Sequence, residues 1–275
     1  MTVKYSITST HYNNNDFIRE SAGVFANLIE NRDDWELVIS DAGSDDGSLS
    51  YLQNLEASQS NVRIVMAEGA SIGKGRQVAF EHARGDVIIS LGDLDASYYE
   101  DERLLDVVAF YEDLVQKEGD ILLGGPVMIG SHDLIEDLGG WNDLWTTERR
   151  DLKRRALREG KLRFCDFSIV KSHPSQEKRF TDALDRFYTN ARMKLKTGIA
   201  LPHLITHWLR NAPSLKPKIG ALLVFPAAWI HNQMTGIERI NTFDPNDPYA
   251  LDFQKSVQRE NPDIWLEPTG PLKKY

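Results

Sequence analysis

The chain is poor in cysteine. Cys165 is the sole cysteine among 275 residues, so no disulfide forms within it, and a reducing, cytoplasmic setting is the expectation. Long hydrophobic runs are also scarce. The apolar stretch from Ile219 to Ile230 has twelve residues and is interrupted by Pro226, whereas a bilayer span needs about 20. The first residues, Met1-Thr2-Val3-Lys4-Tyr5, run into a strand-like segment with no apolar h-region and no small-residue cleavage site, so no signal peptide is expected. Acid is missing from Arg186 to Ile237, where seven Lys/Arg are interleaved with Phe187, Tyr188, Leu195, Ile199, Leu204, Ile205, Trp208 and Leu209. Internal repeats and low-complexity tracts are lacking. Gly73-Lys74-Gly75-Arg76 lacks the G-K-[ST] context of a Walker A loop.

What is present suffices for a packed core. Apolar residues make up 41% and charged residues 27%, which excludes global disorder and fits one large domain, or a core domain with an appendage. The net charge of −9 hides a division. Residues 1–148 hold 9 Lys/Arg against 28 Asp/Glu, and residues 149–275 hold 23 against 13. An asymmetry of this size points to an anionic partner for the basic half, set against the plainer reading of solvated faces. Nucleic acid is not expected, because the whole chain is acidic and no nucleic-acid motif accompanies the basic segment. Basic residues mixed with aromatics on amphipathic helices suit an anionic membrane surface. A helical subdomain packed on the rest, or a homodimer interface, answers to the same pattern.

Strand and helix signals alternate along the first 95 residues. Tyr5–Ser9, Glu36–Ser40, Val62–Met66 and Asp86–Leu91 read as strands. Ile18, Ala22, Phe25 and Ile29 mark a helix after the Asn13–Asp16 cap. Further helices are expected around Leu49–Leu55 and from Gly73 through His82. The rhythm predicts a mostly parallel sheet with right-handed crossovers. Beyond it, the pattern predicts a helix over Glu102–Val115, one strand over Asp120–Ile129, a helix over Trp141–Arg158 and a strand over Leu162–Val170. The tail after Asn241 reads as irregular.

Polar clusters fall just after strands, where such sheets bind ligands. Asp93 and Asp95, two apart beyond a buried strand, offer hard oxygens to Mg²⁺ or Mn²⁺ bridging to phosphates, or else cap a helix. Asp41 can accept a hydrogen bond from a base or ribose, with Asp45 and Asp46 better suited to the turn itself. Lys74 and Arg76 stand at a helix start, where phosphate oxygens are favoured. Arg149, Arg150, Lys153, Arg154, Arg155 and Arg158 form a dense cationic stretch. It reads as a solvated face, or as a site for an acceptor phosphate or lipid head groups.

Four ordered segments, Tyr5-Ser6-Ile7 with Tyr12-Asn13, Glu36–Ser48, Gly73–Arg76 and Leu91–Asp95, resemble the motifs of glycosyltransferase family 2. The similarity extends more weakly to Gly139-Gly140-Trp141 and Glu148–Leu152. It implies the α/β GT-A fold, over residues 1–172, with residues 173–275 as a basic, mainly helical C-terminal extension. It also implies a nucleotide-sugar donor, a divalent metal (Mg²⁺ or Mn²⁺) and an inverting transfer to a lipid-linked or glycan acceptor. By the same resemblance, Tyr12 and Asp41 line the nucleoside, Lys74 and Arg76 lie near the base or diphosphate, and Asp93 and Asp95 hold ribose and metal. Gly139-Gly140-Trp141 shapes the sugar pocket. Glu148 stands where the family has a Glu-Asp pair that supplies the base. The sequence departs from the pattern at Thr10-His11, at Ala42 and at Arg149, which replaces the Asp of that pair. The base is then Glu148, Asp151 or Asp143, or an anionic acceptor needs none. A peripheral enzyme on the cytoplasmic membrane face is the leading expectation. A catalytically degenerate GT-A binding module and a sugar nucleotidyltransferase are the alternatives; the latter is disfavoured because Thr10–Asn14 is not a Gly-rich, Arg-containing loop.

Overall fold

The computed structural model describes residues 2–92, 94–172, 180–212, 214–236, 240, 262–269 and 272. Strands β1 (Tyr5–His11), β2 (Trp35–Asp41), β3 (Val62–Met66) and β4 (Val87–Ser90) alternate with α1 (Asn15–Ile29), α2 (Ser48–Ser58) and α3 (Ile72–His82). Ile18, Ala22, Phe25 and Ile29 recur at helical spacing and bury one face of α1. Every residue of β1 and β2 is buried, as befits parallel strands covered on both sheet faces. β4 shows how the alternation divides. Ile89 and Leu91 join the apolar cluster beneath α1 and α4 (Arg103–Glu118), while Ile88 joins the cluster on the opposite face.

The remaining described strands are β5 (Ser97–Tyr98), β6 (Leu122–Gly124), β7 (Met128–Ser131), β8 (Leu162–Cys165), β9 (Val170–Ser172) and β10 (Trp265–Leu266). The main sheet has the order β10-β8-β6-β7-β4-β1-β2-β3. Only β7 runs against its neighbours β4 and β6; the other pairs are parallel. From β1 the chain steps outward to β2 and β3, then returns to place β4 on the other side of β1. The crevice outside the carboxyl ends of the strands at such a reversal is where open α/β sheets bind ligands.

Three segments differ from the sequence reading. Asp120–Ile129 is not one strand: Gly125-Pro126 turns the chain, and β6 and β7 pair antiparallel. Leu162–Val170 also divides, because β9 leaves the main sheet to pair with β5. Trp141–Arg158 is helical only from Glu148, where α6 (Glu148–Arg158) begins after Thr147, whose φ of 70° stops a helix from running through. A short α5 (His132–Asp137) precedes that loop.

The C-terminal helices α7 (Phe180–Lys196), α8 (Leu201–Asn211) and α9 (Leu215–Met234) share an apolar cluster of their own, with Leu195, Leu204 and Phe225 at its centre. Pro226 does not interrupt α9, which continues through it to Met234; a proline there forfeits one helical hydrogen bond, which a long helix tolerates at a cost. The tail after Asn241 falls largely outside the described residues.

The loop between α5 and α6 crosses the start of α3 at very short range. Gly73 N–H donates to the Leu144 carbonyl at 2.9 Å. A Cβ on Gly73 would stand 2.0 Å from the Asn142 carbonyl oxygen. Gly73→Ala is therefore expected to destabilise the protein by about 1–3 kcal/mol, read as a lower urea midpoint. Gly220→Ala, within α9 and with no atom within 4 Å of the added Cβ, should be neutral or stabilising. Equal midpoints for Gly73→Ala and the parent protein would contradict the close approach.

Candidate functional site

A cavity of about 510 Å³ opens at the reversal point. The ends of β1 and β2 give it Thr10–Asn14, Ser40, Ala42 and Gly43; the start of α3 gives Ser71, Ile72 and Gly75; the loop after β4 gives Leu94 and Asp95; and Trp145 closes one side. Gly75 permits this convergence, since a Cβ there would lie 3.0 Å from Thr10 Cγ2 and 3.2 Å from Ser40 Oγ.

Hydrogen bonds fix the walls. Ser9 Oγ donates to the Gly92 carbonyl at 2.8 Å, and Asn14 Nδ2 and Ser21 Oγ donate to the Leu94 carbonyl at 2.7 and 3.0 Å. These bonds set the exposed Asp95 at the cavity rim. Asp93 lies outside the described residues. Ser71 caps α3 by accepting from Lys74 N–H at 3.1 Å and donates its own hydroxyl to Asp143. Tyr12 lines the cavity and is largely exposed.

Asp41 takes a different part from the one expected. Its carboxylate is fully buried and accepts from Gly43 N–H at 2.9 Å, Ser44 N–H at 2.8 Å and Ser44 Oγ at 2.7 Å. It shapes the loop and is not among the residues lining the cavity, and so shares the turn work for which Asp45 and Asp46 read as better suited. Two buried polar atoms of the lining residues have no hydrogen-bond partner, His11 Nε2 and Ser40 Oγ. His11 Nε2 stands 4.0 Å from Asp41 Oδ2. Buried polar groups are seldom left unsatisfied, so a ligand or water with hydrogen-bonding edges fits this floor.

A sequence profile described as "Glycosyl transferase family 2" matches residues 6–164. The chain belongs to glycosyltransferase family 2. A curated relative, an uncharacterized glycosyltransferase YfnE of Bacillus subtilis (strain 168), is 31% identical over 87 residues, which is 32% of this chain and 22% of that protein. Two solved structures share the fold. S. aureus TarS superposes with a TM-score of 0.53 at 17% identity, over 82% of this chain and 49% of TarS. The mannosyltransferase PcManGT from Pyrobaculum calidifontis, in complex with GDP-Man and Mn²⁺, gives 0.56 at 14% identity, over 86% of this chain and 76% of that one. The chain thus spans about half of TarS and about a fifth of YfnE. The GT-A fold is confirmed.

The other family-2 motif residues separate into two groups. Lys74 lines a second cavity of about 400 Å³ with Glu68 and Asp143, which shares Gly69–Ser71 and Trp145 with the first. Arg76 turns inward. It is 4% exposed, its Nε donates to Glu148 Oε1 at 3.1 Å, and its Nη1 donates to the Leu91 carbonyl at 2.6 Å. Asp151 is fully buried and accepts from Asn142 Nδ2 and Arg155 Nη2, both at 2.8 Å. Arg155 also donates to the Leu138 and Gly140 carbonyls, so this pair holds the Gly139-Gly140-Trp141 loop. Trp141 itself is buried against Phe80. The aromatic ring at the cavity mouth is Trp145, which the sequence reading passed over together with Ser40 and Ser71. α7 braces that segment: Asn190 Oδ1 accepts from Thr146 Oγ1 at 2.8 Å, and Lys196 Nζ donates to the Asp143 carbonyl at 2.5 Å.

Two further groups do not line the first cavity. Burial pushes the Cys165 thiol up to about 11, in keeping with a core cysteine. Among the described residues, His132, Asp133 and Glu136 come close enough to share a metal. They follow β7, which runs antiparallel to β4, so they stand at the opposite sheet edge from Asp95.

Burial lowers the His11 pKa below its ordinary 6.5, against the opposing pull of Asp41 and then Asp46. The unfolded chain therefore binds more protons than the folded one as pH falls below about 6.5, and stability is lost through the depressed folded value. Denaturant titrations should show this acid-side loss in the parent protein and a smaller one in His11→Gln. An identical pH dependence in both would contradict it.

Proposed function

We propose that this protein transfers a sugar from a nucleoside-diphosphate sugar to an acceptor, with inversion, at the cytoplasmic face of a membrane. The observation that carries the reading is the cavity built by four family motifs at one reversal point of the sheet. Its size and lining suit a nucleoside. Tyr12 and Trp145 offer aromatic faces, and His11 Nε2 and Ser40 Oγ offer hydrogen-bonding atoms beside Ala42.

The lining also supports a metal. Among the described residues it contains no lysine or arginine, and Asp95 is its acid. A diphosphate beside Asp95 would meet like charge unless a cation stood between them. Asp95, with Asp93 from the same loop, would hold Mg²⁺ or Mn²⁺, hard cations that oxygen ligands suit. Such an ion stabilises negative charge on a departing diphosphate. Lys74, in the adjoining cavity, adds a cation on the flank.

The acceptor attacks the anomeric carbon as the bond to the diphosphate oxygen breaks, and the electron pair leaves with the nucleoside diphosphate. A hydroxyl acceptor must lose its proton, and the motif resemblance supports Glu148 as the base. One of its oxygens is engaged by Arg76, and Asp151 is enclosed within the structure. An acceptor that is already anionic needs no base. The cationic α6 favours such an acceptor, soluble or lipid-linked.

The membrane part rests on α9. Leu215, Ile219, Leu222, Leu223 and Ile230 recur along one side of this helix, each about half exposed or more. They lie within the segment that has no acid from Arg186 to Ile237. An apolar stripe flanked by cations is the pattern of a helix lying in an anionic interface. Among the described residues no helix is long and apolar enough to cross a membrane. A second copy of the chain is the rival occupant of this face.

Two experiments test these statements. Donor hydrolysis with a panel of nucleotide sugars and Mn²⁺ should find one substrate, and Asp95→Ala should abolish both metal-dependent donor binding and turnover. Unchanged turnover in Asp95→Ala would sink the metal assignment. In flotation, the protein should rise with phosphatidylglycerol vesicles, and Ile219→Glu with Leu223→Glu should leave it behind. Failure of the parent protein to float with anionic vesicles would remove the membrane assignment.

A further inference from the structure

A separate cavity of about 250 Å³ lies farther along the same sheet edge. Gly125 and Pro126, just past β6, form one wall; Phe164, Cys165 and Asp166, at the end of β8, form another; Lys153 of α6 and Trp265 of β10 complete it. β6 and β8 run parallel to β4, because β7 opposes both of its neighbours. Their carboxyl ends therefore open on the edge that carries the donor cavity. Counting from β1 through β4 and β7, β6 stands third and β8 fourth, or about 14 and 19 Å away at about 4.8 Å per strand. The loop bearing Asp95 follows β4 and lies between the two cavities. A donor with its nucleoside at β1 and β2 and its diphosphate near Asp95 would extend its sugar toward this second cavity.

The chemistry of the cavity suits an anion. Lys153 Nζ sits 5.2 Å from the Phe164 ring centroid, and among the described residues no carboxylate is paired with it. Arg149, one turn earlier, donates to the Gly125 carbonyl at 3.3 Å and the Pro126 carbonyl at 2.8 Å, the residues of the facing wall. Phe164 and Trp265 stack at 4.7 Å and close the apolar side. Burial pulls the Lys153 pKa down to about 7; Arg149 and then Arg150 push the same way, and Glu148 opposes them weakly. Asp166 is exposed and, with Glu267, bears on the Cys165 thiol, not on the amine. Positive charge held at this cost is relieved by an oxyanion.

We propose that this cavity is the acceptor's anion subsite, in which Lys153, backed by Arg149, takes a phosphate or carboxylate of the acceptor and so positions its nucleophile toward the donor sugar. The proposal rests on the glycosyltransferase reading above and deepens it. It also gives a physical sense to Arg149, which stands where the family pattern has an acid. A carboxylate at that position would repel the anion that Arg149 and Lys153 attract.

The test uses the unaltered full chain. Trace acetylation followed by peptide mass spectrometry gives the reaction rate of each lysine amine as a function of pH. Lys153 should show its inflection near 7, and surface lysines should not. Glycerol 3-phosphate and inorganic phosphate should slow Lys153 labelling several-fold and move its inflection upward, while glycerol should do neither. Protection by phosphatidic acid vesicles and not by the soluble phosphates would assign the anion to a lipid-linked acceptor. No protection by any phosphate probe, or equal protection by glycerol, would overturn the subsite. Nucleotide binding measured calorimetrically on the same sample separates the two readings. Binding without Lys153 protection sinks the subsite alone, and protection without nucleotide binding keeps an anion site but overturns its assignment to a glycosyl acceptor.

Discussion

The buried ion pair between Arg76 and Glu148 is the interaction on which the site depends. Both side chains are nearly enclosed, and their atoms stand 3.1 Å apart. Arg76 belongs to α3, Glu148 to the first turn of α6, and the Leu91 carbonyl that Arg76 also engages leads into the Asp95 loop. One guanidinium thus ties together α3, α6 and the chain leading into the Asp95 loop. Removing one member of such a pair typically costs about 3–5 kcal/mol, because the other is left charged and buried. Arg76, which the family resemblance sets near the base or diphosphate, is here a buried link between these elements.

Charge then divides the labour along the sheet edge. The first cavity has no lysine or arginine among its described lining, which supports the proposed cation beside Asp95. The far cavity gathers cations on α6 and calls for an anion. A donor running from one to the other would meet polar neutral groups, then a metal, then the anionic end of its reaction partner. The C-terminal helices do not stand apart from this edge, since α7 holds the Thr146 segment next to Trp145.

Much of this was legible in the sequence, and the misses have physical causes. The apolar spacing of α1 follows from a period of 3.6, and the continuous apolar run Leu37-Val38-Ile39 of β2 marks a strand covered on both faces; a sequence displays both directly. The Gly125-Pro126 turn was written in the sequence but overridden by the apolar residues on either side of it. Side-chain direction was harder. Residues two apart on a helix do not share a face, so Lys74 reaches a cavity while Arg76 points into the core. Adjacent residues of a strand face opposite ways, so Ser40 lines the cavity and Asp41 does not. Trp141 and Trp145 carry the same signal in sequence. Only the packing of Trp141 against Phe80 shows which of them is left for the cavity.

The position of the nucleotide decides the function of this sheet edge. A crystal structure with a nucleoside diphosphate and Mn²⁺ tests it most directly. The base should lie between Tyr12 and the His11–Ser40 floor, with the metal on Asp95 and the diphosphate directed toward β6 and β8. A nucleotide bound at another edge of the sheet, or a metal seated away from Asp95, would contradict it.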